Sequence, residues 1–294
     1  MNDINHILIP GEAAANYDRC ITASPNGNIY ALSWYLDIVC PDWELLANTD
    51  YSTVMPLPVF RSMGRKSIRQ PEYASHLGVF STSIPDPETV YRYLRAIPDN
   101  YKLRKMCLNK FNIVTKKNAR IHNATELDLI SPYKQSRARF SPLIQDRLNL
   151  AKTNSISFVS NTSVNDLVMF SYRLDKLNKQ KIKPNQISTL RLIASNAIRY
   201  RSAQLASAYD RTNNLCAVML FLIFNGRASI LHAAASAEGL KTGAIEFIID
   251  HFIRNNSEQN LVLSIDNPDD KYLMETLQHF GSGISEYPCL KKIG

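Results

Sequence analysis

The chain has 294 residues, of which 45% are hydrophobic and 20% are charged. This composition excludes a largely disordered protein and indicates one large or two medium globular domains. The formal net charge is +8, and basic residues exceed acidic ones most between Tyr101 and Lys152, which favours an anionic partner such as a nucleotide, a coenzyme phosphate or tRNA.

Cysteine and histidine spacing and the apolar runs narrow the protein class further. No CxxC or HExxH motif occurs, which argues against a disulfide framework and against a protein-held metal. The longest apolar run, Leu215–Phe224, is about half as long as a membrane span. We therefore expect a cytoplasmic protein with reduced cysteines, no metal site and no membrane span.

Hydrophobic periodicity and turn residues predict the elements of the first part of the chain. In order, these are helices over 11–23 and 29–39, two strands within 52–70, a strand over 73–81, a helix over 88–97 opened by Pro85 and Pro87, and strands over 101–108, 111–117 and 124–130. The pair of strands within 52–70 flanks a basic turn at Ser62–Lys66. Pro56 and Pro58 have no backbone N–H to donate, and both lie on the same side of the first strand of this pair. That strand is therefore predicted to be an edge or splayed strand.

The second part of the chain is predicted to alternate strands and helices. In order, the elements are helices within 132–151, a strand over 156–160, helices over 162–177 and 185–198, a strand ending near 209, strands around a glycine turn after 224, a helix over 239–256, a strand over 260–266, a helix over 271–280 and a strand over 287–292. Asn267 is predicted to cap the last helix, with Pro268 at its first position.

Two hydrophobic segments resemble one another. Val54–Phe60 ("VMPLPVF") and Val218–Phe224 ("VMLFLIF") share their hydrophobic order, and each precedes a basic glycine turn, another strand, a small or polar segment and a helix. We interpret this similarity as a duplicated unit, with a chance likeness between two hairpins as the alternative.

The segment "HAAASAEGLKTGAIEFIID", His232–Asp250, is predicted to be a strand that ends in small side chains, turns at Gly239 and continues as a helix. Small side chains let a ligand approach the main chain, and a helix N-terminus together with Lys241 suits a phosphate. In the alternative interpretation, Ala233–Ala235 pack under a neighbouring helix and Gly239 is an ordinary turn glycine.

The element order from Leu215 to Leu290 resembles the C-terminal half of a GNAT acyltransferase. Over nearly the whole chain, "YALSWYLDIV", "VMPLPV", "HLGVFS", "SAEGLKTGAIEFIID" and the late "HFG" followed by Tyr287 resemble bacterial Fem-like, double-GNAT proteins. The resemblance implies an α/β (α+β) protein of two tandem GNAT-like units, 1–123 and 124–294. Each unit would be a mixed, mostly antiparallel sheet flanked by helices.

The same resemblance implies transfer of an acyl group to an amine of a small molecule or peptide. GNAT enzymes take the group from acyl-coenzyme A, whereas Fem-type relatives take an aminoacyl group from tRNA, so both are candidate donor substrates and no tightly bound cofactor is expected. Either reaction needs a backbone donor for the oxyanion, a proton acceptor and a cleft that aligns the substrates. The donor-binding residues implied by the matching turn are Ala234, Ser236, Gly239, Lys241 and Gly243.

Three residues at predicted strand ends are candidates for catalysis: His232, Asp266 and Tyr209. His232 is a candidate general base because histidine titrates near neutral pH; the alternative is a packed or solvent-facing histidine. Asp266 follows a late strand, where clefts of α/β folds lie, or it caps the next helix. Tyr209 and the following Asp210 end a strand, and a plain turn role is the alternative for both.

A substrate cleft between the two units is predicted from aromatic and polar residues of the first. Trp34 and Tyr35 offer aromatic surface and Asp37 a carboxylate for an amine, with core packing and simple exposure as the alternatives. The predicted cleft residues are Trp34, Tyr35, Asp37, Gln70, Tyr73 and His76.

Two departures from the family pattern leave a second hypothesis open. The chain has "RLNLA" at 147–151 where relatives often carry an RxxxKKA-like run, and "SIDNPDD" at 264–270 where they often have Asp-Phe-Glu-Gly-Ser. These losses favour a non-catalytic protein that binds a ligand or peptide on a degenerate double-GNAT scaffold. A third hypothesis places tRNA on the basic region 101–152, and the alternative there is a solvated surface.

Overall fold

The computed structural model describes residues 4–8, 10–115, 119–178 and 184–290. The chain forms two compact units: one joins the residues up to Asn123 to the segment from Ser285 onward, and the other is Ala124–Ile284. The sequence-based division falls at the same residue but gives the last segment to the second unit. Within these described ranges, no helix is both long and apolar enough to cross a membrane.

The described residues of the first unit form three α-helices and several short strands. Its helices are α1 (Ala14–Ala23), α2 (Ser33–Val39) and α3 (Pro87–Arg95), and its strands are β1 (Ile4–Ile7), β2 (Glu44–Asn48), β3 (Thr53–Leu57), β4 (Val59–Ser62), β5 (Arg65–Ile68), β6 (Phe80–Ser81), β7 (Lys102–Leu103) and β8 (Met106–Cys107). The antiparallel order β1-β2-β3-β6 makes one sheet, and β4-β5-β7 makes a second. Helices over 11–23, 29–39 and 88–97 are confirmed within a few residues, whereas the strand over 73–81 is reduced to Phe80–Ser81.

The first predicted strand of the 52–70 pair is two strands separated by a proline. β3 lies between β2 and β6 and is therefore not an edge strand, but the chain leaves this sheet at Pro58 and continues as β4 in the second sheet. A proline cannot donate to a strand ladder, so the break falls where the sequence lacks an amide. The splayed form of the prediction is confirmed.

The two similar hydrophobic segments lead into the same kind of turn. Met63 and Gly64 have φ of 49° and 72°, and Asn225 and Gly226 have φ of 51° and 71°. Two consecutive left-handed residues define the tight hairpin turn whose twist matches that of the flanking strands. The likeness in sequence therefore extends to backbone geometry.

Glu44 lies at the centre of a buried polar network in the first unit. Its side chain is fully buried and accepts hydrogen bonds from Lys66 Nζ at 2.7 Å and Tyr101 Oη at 2.6 Å, with His6 Nε2 at 2.7 Å. Burial raises the pKa of Glu44, but the hydrogen bonds from Lys66, Tyr101 and His6 outweigh it and lower the pKa overall. The carboxylate is thus charged at neutral pH.

Replacing Glu44 with glutamine is expected to lower the free energy of unfolding at neutral pH by about 2 kcal/mol, since Lys66 and Tyr101 lose a charged acceptor. Folding lowers the pKa of Glu44 below 4.5, so its contribution is complete above that pH and decreases as the pH falls through the folded-state value. Urea unfolding of both proteins at neutral and acidic pH measures the difference. Glu72→Gln, at an exposed position, is the control, and an equal loss at both pH values would contradict the prediction.

The prediction of five reduced cysteines is wrong for one pair. Cys107 of β8 faces Cys289 of β15 (Gly283–Leu290) in an antiparallel ladder, and the two form a disulfide across 182 residues of sequence. Cys20, Cys40 and Cys216 are free and buried.

Two predicted strands extend beyond the residues that the structure describes. Of the strand predicted over 111–117, residues 111–115 form no strand, and Lys116 and Lys117 lie outside the described residues. Lys291 and Lys292, at the end of the last predicted strand, also lie outside them.

The second unit contains one sheet with helices on both faces. Its strands are β9 (Ala119–Asp128, which begins before the division), β10 (Ser157–Val159), β11 (Ala203–Tyr209), β12 (Leu215–Phe224), β13 (Arg227–Ala235) and β14 (Val262–Ile265); its helices are α4 (Tyr133–Ala138), α5 (Pro142–Thr153), α6 (Val164–Asn178), α7 (Pro184–Arg199), α8 (Ala237–Lys241), α9 (Ala244–Asn255) and α10 (Lys271–His279). The strand order is β10-β11-β12-β13-β14-β9, antiparallel except for β13 and β14.

Side-chain alternation assigns the two faces of this sheet. Met219, Phe221 and Ile230 belong to the buried core with the apolar stripe of α9, where the Phe221 and Phe252 rings stack at 4.1 Å between centroids. Because successive side chains of a strand point to opposite faces, the intervening residues of β11–β13 face α6 and α7.

The predicted cap of the last helix is wrong by three residues. Asp270, not Asn267, caps α10 by accepting from the Leu273 amide, so Pro268 precedes the helix.

Candidate functional site

The end of β13 departs from its neighbour β14. The two strands pair in parallel only from Arg227 to Ser229. On the other side, His232 pairs with Leu220 and Ile230 with Phe221, which leaves Leu231 as an extra residue in a bulge. A bulge bends its strand, so the main chain after Leu231 is paired with β12 alone within the described ladders and its other edge is open.

Small side chains follow this bulge, as the sequence predicts. Ala233, Ala234 and Ala235 are half-buried, and Ala233 and Ala235 contact the core under α9. After these alanines, the Ser236 amide donates a hydrogen bond to the Cys216 carbonyl at 2.9 Å. The Ser236 hydroxyl caps α8 by accepting from the Gly239 amide at 3.0 Å. The open strand edge is therefore connected to a rigid turn.

The predicted turn at Gly239 is misplaced by four residues. Gly239 lies inside α8, where an added Cβ would overlap the Cys216 carbonyl. The change of direction occurs at Gly243, whose φ is 77°, and a Cβ there would overlap the backbone carbonyl of Arg147 in α5. Both glycines are thus required by close packing of main chain on main chain, which is close to the alternative interpretation of this stretch.

Charged and polar residues surround the Gly243 turn. Arg147 Nη1 donates to the Lys241 carbonyl at 3.2 Å, and Arg147 Nε lies 3.4 Å from Glu246 Oε1. Tyr272 donates to the same Glu246 oxygen at 3.1 Å, and burial, followed by the charge of Glu246, raises the pKa of Tyr272 to about 12. The sequence predicts a donor-binding role for Lys241, but it gives no signal for the contacts of Arg147 and Glu246 at this turn.

His232 is part of a hydrogen bond beneath α6. Its Nε2 lies 2.8 Å from Ser171 Oγ, and Ser171 also donates to the Leu167 carbonyl at 2.7 Å. Since the Ser171 proton is directed at that carbonyl, Ser171 is the acceptor for an Nε2–H tautomer of His232. Burial lowers the pKa of His232 to about 4, so the ring is neutral near pH 7 and is a weaker base than the sequence-based argument assumed.

Asp266 lies in a buried charge cluster just after the end of β14. Its two oxygens accept from Arg227 Nη2 at 2.9 Å and from Ser229 Oγ at 2.8 Å. Arg227 also pairs with Glu126 at 2.9 Å, and Ser229 Oγ lies 3.0 Å from Ser264 Oγ. The Asp266 side chain is 1% exposed, and it does not cap α10. The sequence offers no local signal for Glu126 and Arg227 as its neighbours, because 39 or more residues separate each of them from Asp266.

Tyr209 lies at the end of β11 after a bulge, opposite Leu215. β12 separates its strand from that of His232, a lateral distance of roughly 10 Å at ordinary strand spacing. The next residue, Asp210, closes a turn by accepting from the Thr212 and Asn214 amides, and hydrogen bonds from Asn214 and Thr212 lower its pKa to about 2. The three predicted catalytic residues therefore have separate positions and separate partners.

The first unit brings most of its predicted cleft residues together. Buried Tyr35 donates to the Tyr73 carbonyl, and its ring is 5.3 Å from that of half-buried Trp34. Tyr30, which the sequence did not single out, makes edge contacts with both Tyr35 and buried His76, at 5.7 and 5.5 Å. The result is a cluster of aromatic rings with Trp34 at its exposed margin and the Tyr73 carbonyl beside it.

The remaining two cleft residues have structural partners. Gln70 bridges two segments, donating to the Ala74 carbonyl at 2.5 Å and accepting from the Cys107 amide at 2.8 Å. Asp37 accepts from the Trp43 indole at 2.8 Å. Asp37 is therefore held toward Trp43, although it stays exposed.

Comparison with known proteins identifies the fold. No family model and no curated protein matches the sequence. Among solved structures, FemX has a TM-score of 0.66 at 9% identity and covers 97% of this chain and 96% of its own. L-PGS from Bacillus licheniformis has a TM-score of 0.57 at 11% identity, covering 98% and 94%. A tandem GNAT protein from the clavulanic acid biosynthesis pathway has a TM-score of 0.53 at 12% identity, covering 98% of both chains. The chain has the Fem-like, tandem GNAT fold.

Proposed function

We propose that the protein is an N-acyltransferase that moves an acyl or aminoacyl group to an amine of a small molecule or peptide. The observation that carries this proposal is the bulged end of β13, where a strand edge stays open beside a row of small side chains. Amides along such an edge are fixed hydrogen-bond donors, and a donor fixed before reaction stabilises the oxyanion that forms when an amine attacks an acyl carbonyl. A likeness at 9–12% identity gives the fold alone.

The chemistry divides among few residues in this proposal. The acceptor nitrogen bonds to the acyl carbon, and the strand edge after Leu231 holds the oxyanion. The bond from the acyl carbon to the donor's sulfur or ribose oxygen then breaks, and this leaving atom takes up the proton that the nitrogen has lost. The attacking nitrogen loses a proton, for which His232 is the nearest titratable group on this strand. Burial lowers the pKa of His232 to about 4, so its ring is neutral over the whole physiological range. A ring with so low a pKa releases a proton more readily than it holds one.

The donor contacts in this proposal differ from those implied by sequence. Gly239 and Gly243 serve packing, so the donor is expected to contact the strand edge near Ala234, the Ser236 turn and the exposed side chain of Lys241. Acyl-coenzyme A and aminoacyl-tRNA both carry phosphates that Lys241 would attract.

Donor binding tests this function directly. Calorimetry with acetyl-coenzyme A, a longer acyl-coenzyme A and charged tRNA is expected to show one-to-one binding of one donor, and Lys241→Gln is expected to weaken it about fivefold through loss of one charge contact. Lys271→Gln, at another exposed lysine of the same unit, is the control. Absence of binding by all three donors contradicts the proposal, and binding without transfer to any amine favours the non-catalytic alternative.

A further inference from the structure

A groove in the first unit is lined largely by basic side chains. It lies on the sheet β4-β5-β7 and has a volume of about 410 Å³. Its basic lining residues are Arg65, Lys66, Arg69, Lys102 and Arg104.

The backbone of two parallel strands gathers these side chains. Ser67 of β5 pairs with Lys102 of β7, and the Arg104 amide continues the ladder by donating to the Ile68 carbonyl at 2.9 Å. Since strand side chains alternate, Lys102 and Arg104 point to one side of β7. Tyr101 and Leu103, on the other side, line a separate cavity of about 450 Å³. Lys102 and Arg104 therefore lie on the side of β7 that lines the groove.

Most of this positive charge is not neutralised by the protein. Lys66 is paired with Glu44, and Arg69 Nε donates to Ser67 Oγ at 3.1 Å. In the part of the chain that the structure describes, Arg65, Lys102 and Arg104 form no salt bridge. Several unpaired cations held together repel one another, and a multivalent anion removes that repulsion.

The size and lining of the groove favour a compact ligand. A volume near 400 Å³ is within the range of small-molecule sites. Surfaces that bind single-stranded RNA combine basic residues with aromatic side chains on which bases stack, and no aromatic residue lines this groove. Guanidinium groups, which are the majority of the lining cations, form paired hydrogen bonds with phosphate oxygens.

We propose that the groove binds a small ligand that carries two or more linked phosphate groups. Arg65, Lys102 and Arg104 would contact the phosphate oxygens, and Arg69 would close one end from its position beside Ser67. None of the residues of this groove is among those proposed for acyl transfer.

Inorganic tripolyphosphate is the probe that tests the proposal on the full chain. Calorimetry is expected to show one-to-one binding, weakened about fivefold by Arg104→Gln and by Lys102→Gln, and by more than tenfold in the double variant. Arg19→Gln is the control, since Arg19 is an exposed arginine of α1 outside the groove. Circular dichroism checks that each variant is folded.

Three results would overturn the proposal. The first is no saturable binding of tripolyphosphate by the unmodified protein. The second is an equal loss of affinity in Arg19→Gln, which would indicate attraction to the overall positive charge. The third is tighter binding of a single-stranded RNA oligonucleotide than of tripolyphosphate, with that affinity lost in Arg104→Gln, which would assign the groove to RNA.

Discussion

Replacing Gly243 with alanine is expected to lower the free energy of unfolding by about 3 kcal/mol, from the sum of backbone strain and overpacking. The φ of 77° lies in the left-handed region, which is unfavourable for a residue with a side chain. The new methyl group would also overlap the Arg147 carbonyl, which cannot move without displacing α5 from the start of α9. Denaturant unfolding followed by far-UV circular dichroism measures the loss.

Gly64→Ala separates the two causes. Gly64 has nearly the same φ, 72°, but an added Cβ would meet no atom within 4 Å, so only the backbone term of about 1 kcal/mol applies. A Gly243→Ala loss no larger than that of Gly64→Ala would show that close packing on Arg147 is not required. A variant of unchanged stability that no longer binds a donor would return Gly243 to the donor-binding role implied by the sequence resemblance.

Replacing Asp266 with asparagine is expected to lower the stability of the second unit by about 3 kcal/mol, because Arg227 and Ser229 lose a buried charged acceptor. Both tryptophans, Trp34 and Trp43, lie in the first unit, so their fluorescence does not report on this change. Hydrogen exchange of the β13 and β14 amides does, and it is expected to become faster in the variant while α1 is unaffected.

Asp269→Asn is the matched control, since Asp269 follows three residues later and is exposed. If Asp266→Asn leaves exchange in β13 unchanged but abolishes acyl transfer, Asp266 acts in the chemistry and not in holding the ladder. If exchange accelerates as expected, a loss of activity in any Asp266 variant reflects the fold. His232 is then the cleaner position at which to test catalysis.

Elements whose signals are local could be predicted from the sequence. The α9 stripe is one example, and the helix α3, opened by prolines and capped by Asp86, is another. The buried strand β12 follows from an uninterrupted apolar run. Pro56 and Pro58 also predict the break between β3 and β4. In each case, the residues that determine the structure are neighbours in the chain.

Features that depend on distant contacts could not be predicted in this way. Gly239 and Gly243 are equally suited to a turn, and the choice of Gly243 depends on the Arg147 carbonyl, 96 residues earlier in sequence. The lowered pKa of His232 depends on its cover by α6, and the partners of Asp266, Arg227 and Ser229, both lie on the neighbouring strand β13. His232 and Asp266 lie in and just after strands, where the sequence predicts them, but their electrostatic surroundings are set by tertiary packing.

The assignment of the segment from Ser285 to the first unit has a consequence for synthesis. Cys289 and Leu290 of β15 pair with Cys107 and Met106 of β8, and they leave the ribosome after all of Ala124–Ile284. The second unit therefore has its complete set of residues on the nascent chain while the first still lacks a strand. The half of the protein whose synthesis begins first is the one that is completed last.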